Sequence, residues 1–262
     1  MRLENRIAIV TGAAKGMGHG ICVALAREGA DLALAARERG PLDALAREIE
    51  ALGRRVLVQP TDVTDERAVE TLVTRTRDTL GGRVDILVNG AGVTGPIETP
   101  VWAITADDWD HVIAVNLRGT FLPIKHVLPT MIAQRYGKIV NISGTSGLRG
   151  YKFRAAYSSS KWAVRGLTRT VALEAGPYNV NVNALHPGIV AGDRMERLCR
   201  EKATRRGGSW TPERVYEEYV NEMAVRRVTT ADDVARAVCF LASDDSKNMT
   251  GQSVTVDGGW DV

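Results

Sequence analysis

Tyr157 and Lys161 stand four positions apart in the stretch NISGTSGLRGYKFRAAYSSSK, Asn141 to Lys161. On a helix beginning near Ala155 that spacing puts both side chains on one face. An unperturbed tyrosine has a pKa near ~10, too high for ready proton exchange at neutral pH. An adjacent ammonium stabilises the phenolate and lowers that value, so the pair is suited to moving a proton. Ser143, Thr145 and Ser146 supply hydroxyls just upstream, with Gly144 in their midst. A core tyrosine beside a surface lysine is the plain alternative.

A second pattern lies near the amino end. VTGAAKGMGHG follows a β-branched run and opens a helical one. Gly12, Gly16 and Gly18 would let backbone approach a pyrophosphate, which the free N–H groups and dipole of a helix amino end favour. Glycines also make ordinary tight turns, so the triplet gains weight only from its surroundings.

Both patterns need elements to hold them. Runs at Arg6–Val10, Asp31–Ala35, Arg55–Gln59, Val84–Asn89, Lys138–Ile142, Asn181–Leu185 and Ser253–Val256 predict seven buried strands. Gly18–Glu28, Pro41–Leu52, Asp65–Leu80, Asp107–Gln134, Ala155–Ala175 and Ala231–Ser243 predict helices, with Asp65 and Thr230 as caps and Gly29, Gly53 and Gly81 at helix stops. Such alternation packs as one parallel sheet covered on both faces, with right-handed crossovers. The expected fold class is α/β, a doubly wound Rossmann fold, with residues 1–262 as one domain. Residues 193–223 break the rhythm. They read as a charged helical lid after the sixth strand, at the carboxyl ends where such sheets bind ligands.

Composition narrows the functions. The 262 residues carry a net charge of +3 with acids and bases interleaved, so no basic run marks a nucleic-acid surface. Cys22, Cys199 and Cys239 are far apart and form no cluster with histidine, so neither a metal site nor a disulfide framework is expected. No apolar run could span a bilayer and MRLENRIAIV lacks a signal-peptide core, which predicts a soluble, cytoplasmic chain without membrane partners.

Several motifs in order carry a family resemblance. They are Thr11 to Gly18 (TGAAKGMG), Asp62-Val63, Asn89-Gly90-Ala91-Gly92, Asn116, Tyr157 with Lys161, Pro187-Gly188-Ile189-Val190, and Gly251-Gln252 with Asp257-Gly258-Gly259. In these the chain resembles the short-chain dehydrogenase/reductase family over essentially its whole length. The resemblance implies a nicotinamide dinucleotide across the strand ends, with Gly12, Lys15, Gly16, Met17 and Gly18 at its phosphates. Asp62 would meet the adenine amine and Val63 the ring's surroundings, Asn89 and Ala91 would lie along the adenosine, and Pro187, Gly188 and Val190 would face the nicotinamide. Tyr157 would give or take the substrate proton as hydride moves, Lys161 would also hold the nicotinamide ribose, and Asn116 would help relay protons to water. The family habit of homotetramers, through Asp107–Gln134, Ala155–Ala175 and the last strand, is implied in the same way.

Charge argues for NADP over NAD. The carboxylate that reads a ribose 2′-hydroxyl would stand at Ala36, which accepts no side-chain hydrogen bond. Arg37 follows, and Lys15 joins from the glycine loop; both suit a 2′-phosphate, with Glu38 the opposing feature.

The chain departs from the family at three glycines. The substrate-orienting serine lies thirteen residues before the tyrosine, which is Gly144 here. Losing such a donor costs ~10²–10³ in turnover if nothing replaces it. On an extended segment Ser146 shares a face with position 144 while Ser143 and Thr145 point away, so Ser146 is expected to serve, with the Gly144 amide or Ser143 as alternatives. Gly192 stands where many relatives carry a threonine, and Gly90 replaces a usual asparagine.

Thr94–Trp102, Arg149–Arg154 and the lid should set specificity. Arg194 and Arg197, with Arg149 or Arg154, would face an anionic group on the substrate, or the lid's charges are simply solvated. Trp210, Tyr216 and Tyr219 would close an apolar wall or pack the lid. Three readings stand: an NADP(H)-linked alcohol dehydrogenase or carbonyl reductase for a small polar or anionic substrate, a 3-oxoacyl-thioester reductase, and a nucleotide-binding sensor or scaffold with impaired catalysis.

Overall fold

The computed structural model describes residues 1–260. In chain order it runs β1 (Ile7–Thr11), α1 (Gly16–Arg27), β2 (Asp31–Ala36), α2 (Arg39–Ala51), β3 (Val56–Pro60), α3 (Glu66–Leu80), β4 (Ile86–Asn89), α4 (Ala106–Ile113), α5 (Gly119–Gln134), β5 (Gly137–Ile142), α6 (Ala155–Ala175), β6 (Val180–Pro187), α7 (Asp193–Arg206), α8 (Pro212–Glu222), α9 (Ala231–Ala242) and β7 (Ser253–Val256). The strands form one parallel sheet in the order β3-β2-β1-β4-β5-β6-β7. Order reverses between β1 and β4, which opens a crevice at the carboxyl ends of these strands.

Alternation along β1 shows why the sheet is covered twice. Ala8 and Val10 join Ile21, Leu25, Leu45 and Val238 from α1, α2 and α9 on one face. Ile7 and Ile9 join Leu72, Ile124, Met131 and Val171 from α3, α5 and α6 on the other. Strands buried on both faces need apolar residues at every position, which is why they read as continuous β-branched runs rather than alternating ones.

Each predicted strand is present, its ends within two residues of expectation. Asp65 caps α3 by accepting from the N–H groups of Arg67 and Ala68, and Thr230 forms a capping box with Asp233 at α9. The expected helix Asp107–Gln134 is not continuous: a π-helical turn over Ala114–Arg118 separates α4 from α5, with Asn116 at its centre. The insertion after β6 folds as α7 and α8 around a small core of Met195, Cys199, Ala203, Val215 and Met223. No helix among the described residues is long and apolar enough to cross a membrane.

Candidate active site

The first βα turn builds one end of the crevice. Gly12 has φ +71°, and a Cβ on Gly18 would stand 2.0 Å from the Gly12 carbonyl oxygen, so both positions admit only glycine without rearrangement. Lys15 is the N-cap residue of α1 but its side chain bonds no backbone N–H, and no acid lies in the first turn. The free N–H groups and dipole at this helix end therefore face the crevice unneutralised, the requirement for a diphosphate.

Further along, the adenosine side takes shape. The Asp62 carboxylate accepts through Oδ1 from the N–H and hydroxyl of Thr64, at 2.9 and 2.8 Å. Those bonds, the N–H first, and the nearby Arg37 charge hold Asp62 below the ordinary carboxyl range despite partial burial. The Asp62 carboxylate lines the crevice, an acceptor suited to an exocyclic amine. Gly12, Lys15, Gly16, Met17, Gly18 and Arg37 line the same crevice, as do Asp62, Val63 and Ala91. Asn89 does not. It is 2% exposed, and its amide donates to Asn141 on β5 at 2.9 Å. β4–β5 pairing engages its side chain within the sheet, while Ala91, two residues on, lines the crevice.

The crevice, about 1370 Å³ in volume, continues to Tyr157, Lys161, Pro187, Gly188 and Val190. Lys161 is 5% exposed and its Nζ donates to the Ile142 carbonyl at 2.8 Å, lying 5.7 Å from the Tyr157 ring centroid. Asn116 ties three elements together from the π turn. Its amide donates to the Val93 carbonyl and the Ser160 hydroxyl, each at 3.0 Å, and its Oδ1 accepts from the Val93 N–H at 2.8 Å. Insertion of a π turn rotates the helix locally, which lets one buried side chain reach both the loop after β4 and the start of α6.

Burial pushes the Tyr157 phenol up. The charges of Lys161, Arg194 and Arg154 outweigh it, so the phenol titrates below the ordinary tyrosine value. Burial likewise holds the Lys161 ammonium below the ordinary lysine value, with Tyr157 opposing and Arg194 reinforcing. The site is thus a phenol surrounded by three cations, poised to exchange a proton.

Gly144 lies where the resemblance puts the orienting serine: a Cβ there would stand 3.8 Å from the Tyr157 oxygen. Its backbone, φ +98° and ψ 160°, is a region that side-chain-bearing residues avoid. The Gly144 N–H donates to the Leu185 carbonyl at 3.3 Å, and its carbonyl bonds His186 Nδ1 at 2.8 Å. Its amide is therefore committed to the backbone. Ser143 is committed too, donating to the Lys161 carbonyl at 3.0 Å, and Thr145 accepts from the Tyr151 hydroxyl at 2.9 Å. Ser146 lines the crevice and its hydroxyl bonds no other described residue. The alternation that pointed to Ser146 does not hold, because Thr145–Gly147 form a 3₁₀ turn rather than extended chain.

Around Tyr157 the crevice is lined by residues of α7, among them Arg194, and by Arg149–Arg154. Arg194 donates to the Gly92 carbonyl at 3.1 Å, while Arg197 pairs with Glu201 at 2.9 Å and does not reach the main crevice. Trp210 stacks under Arg206 and Arg214 within the lid, and Tyr216 is exposed. Tyr219 does line the crevice, edge-on to Trp260. Trp260 was not anticipated from sequence; it follows the terminal glycines and packs 5.3 Å from Tyr151. At Gly192 nothing lies within 4 Å of a would-be Cβ, so no neighbour fills the place of the absent threonine.

Residues 6–203 match the short chain dehydrogenase family. A short-chain dehydrogenase/reductase of Armillaria gallica is 38% identical, covering 98% of this chain and 96% of that protein. The 3-oxoacyl-[acyl-carrier-protein] reductase FabG of Thermotoga maritima is 36% identical over 99% of both chains. Among solved structures, an NAD⁺-bound xylitol dehydrogenase superposes with a TM-score of 0.93 at 33% identity, covering 99% of this chain and 100% of that one. The chain belongs to the short-chain dehydrogenase/reductase family. It is an oxidoreductase of the short-chain alcohol dehydrogenase type, acting on a small molecule.

Proposed function

We propose that the chain transfers hydride reversibly between NADP(H) and the secondary alcohol or ketone of a small polar substrate. The observation that carries this is the Tyr157–Lys161 pair at the end of a crevice whose other end is the uncapped start of α1. The nicotinamide cofactor would supply the hydride. Tyr157 would pass the proton to or from the substrate oxygen, with Lys161 and the arginines favouring its phenolate. Asn116 would position the Lys161 helix and help carry the proton outward; Pro187, Gly188 and Val190 would support the nicotinamide.

NADP is favoured by charge at the end of β2. Ala36 ends the strand, and the exposed Arg37 makes no ion pair among the described residues. Lys15 pairs with Glu38 at 3.2 Å, an exposed contact that a phosphate would readily displace. A hydrogen bond to a charged group is worth ~1.5–3 kcal/mol, so Arg37→Ala should raise the NADPH KM by ~10–100-fold and leave NADH within about threefold. Equal effects on both cofactors in steady-state assays would sink the NADP assignment.

Ser146 is the hydroxyl available to orient the substrate. Ser146→Ala should lower kcat by about 10-fold, less than the ~10²–10³ of a lone donor, because Arg194 also points donors at the phenol. Wild-type turnover in the variant would remove Ser146 from the mechanism.

Reduction of an acyl thioester is the second reading, supported by similarity to the Thermotoga maritima reductase. Turnover of acetoacetyl thioesters in preference to free ketones would favour it. A cytoplasmic homotetramer is part of the proposal: all three cysteines are free and buried, and Phe121, Trp162 and Leu173 expose apolar surface on α5 and α6.

A further inference from the structure

Besides Lys161, seven cations line this end of the crevice; Lys152 is exposed and lies over the Phe153 ring, and several of the others are already matched. Arg205 pairs with Glu98 at 3.0 Å, and Lys202 and Arg206 share Glu218 at 3.1 and 2.8 Å. Arg149 donates to the Tyr151 hydroxyl and stacks on Trp260. Arg154 and Arg194 differ: neither has a carboxylate partner among the described residues. Both face the same phenol, Arg154 with its Cζ 4.7 Å from the Tyr157 ring centroid. Arg154 Nε is also fully buried with no hydrogen-bond partner.

Unmatched charge and an orphaned buried donor both cost free energy unless a ligand satisfies them. Burial holds the Arg154 guanidinium below the ordinary arginine value against the opposing pull of Tyr157, Tyr219 and Glu98, and Arg194 pushes it down as burial does, so the two cations repel. An anion between them would relieve that repulsion and fill the planar fork that Arg154 presents. Tyr151, Phe153, Tyr219 and Trp260 line the crevice beside these arginines, along with Glu98 and Glu222.

We propose that Arg154, with Arg194 also at the phenol, receives a carboxylate of the substrate, which is therefore an oxo or hydroxy acid whose acid group lies within a few bonds of the reacting carbon. This rests on the oxidoreductase reading above. It makes Arg154 a specificity-determining residue and gives the lid, through Arg194, a direct part in recognising the substrate.

The test combines steady-state oxidation of NADPH by acetoacetate and 2-oxobutyrate, each against its methyl ester, with calorimetric titration of malonate into the protein with and without NADP⁺. Wild type should favour the acids over the esters by ~100-fold in kcat/KM, the scale of one desolvated charge pair. Arg154→Gln should lose most of that preference through KM and bind malonate at least ~10-fold more weakly, with NADPH affinity unchanged. Arg154→Lys should restore part of both, and Arg197→Gln, whose guanidinium is held by Glu201, should match wild type. Equal turnover of acids and esters, or malonate binding that survives Arg154→Gln, overturns the carboxylate site and leaves the oxidoreductase reading standing. Malonate binding that depends on Arg154 in a protein that reduces no ketone supports the site and overturns that reading instead. Parallel loss of NADPH and malonate affinity would show that Arg154 supports the fold or the cofactor, and overturns the proposal.

Discussion

Tyr157→Phe is expected to lower kcat by about 10²–10⁴ in both directions while the NADPH dissociation constant stays within about twofold, the span set by loss of a positioned acid–base group. The phenol oxygen is the sole difference between the two side chains. The oxygen's partner is the Arg194 side chain, which also donates to the Gly92 carbonyl, and the ring itself is held by stacking under Arg154 and by packing at the start of α6. The variant should therefore keep its melting temperature within a few degrees and still bind nucleotide along the glycine loop and Asp62. Hydride transfer would then face an unprotonated alkoxide, or an alcohol whose proton has no acceptor. A variant that keeps more than about a tenth of wild-type kcat would mean that water or Lys161 moves the proton, and would displace Tyr157 from the centre of the site.

The same residues show where a sequence yields its structure and where it does not. The strands were legible because burial on both faces demands uninterrupted apolar runs, and Asp65 and Thr230 were legible because capping is local chemistry. The π turn at Asn116 was not. AVNLR carries no glycine or proline, and its residues fit a continuous helix as well as an interrupted one. The Asn89–Asn141 bond was not legible, because the two residues are fifty-two apart and only strand register brings them together. Ser146 was chosen by counting sides of an extended chain, whereas the left-handed Gly144 starts a tight turn and ends that periodicity. The convergence of Arg154 and Arg194 depends on how the lid docks, a tertiary fact with no local signature. Sequence put Arg194 beside Arg197 and left Arg154 as an alternative to Arg149, whereas Arg154 reaches the phenol and Arg197 is held by Glu201.

Lys161→Met carries the second large effect, and its sign follows from the charges around the phenol. In the wild type, burial raises the Tyr157 pKa and the combined field of Lys161, Arg194 and Arg154 lowers it further than burial raised it. Removing the ammonium leaves the burial in place with only two cations opposing, so the phenol moves up. Alcohol oxidation needs the phenolate, so its rate climbs with pH and levels off above the Tyr157 pKa; the climb should shift to higher pH in the variant. Ketone reduction needs the phenol, so its rate falls as pH rises through that pKa, and this fall should also shift upward. At pH 7 oxidation should drop by about 10²-fold, the scale of one lost electrostatic donor, and recover in part as pH is raised. Ultraviolet titration of the resting protein gives a readout independent of turnover, since the phenolate absorbance should appear at higher pH in Lys161→Met than in wild type. The Ile142 carbonyl also loses its 2.8 Å donor, so a stability measurement belongs beside the kinetics. A uniformly slower enzyme with an unmoved pH profile and an unmoved phenolate titration would assign Lys161 to holding the ribose and the Ile142 carbonyl, and leave the tuning of Tyr157 to the arginines.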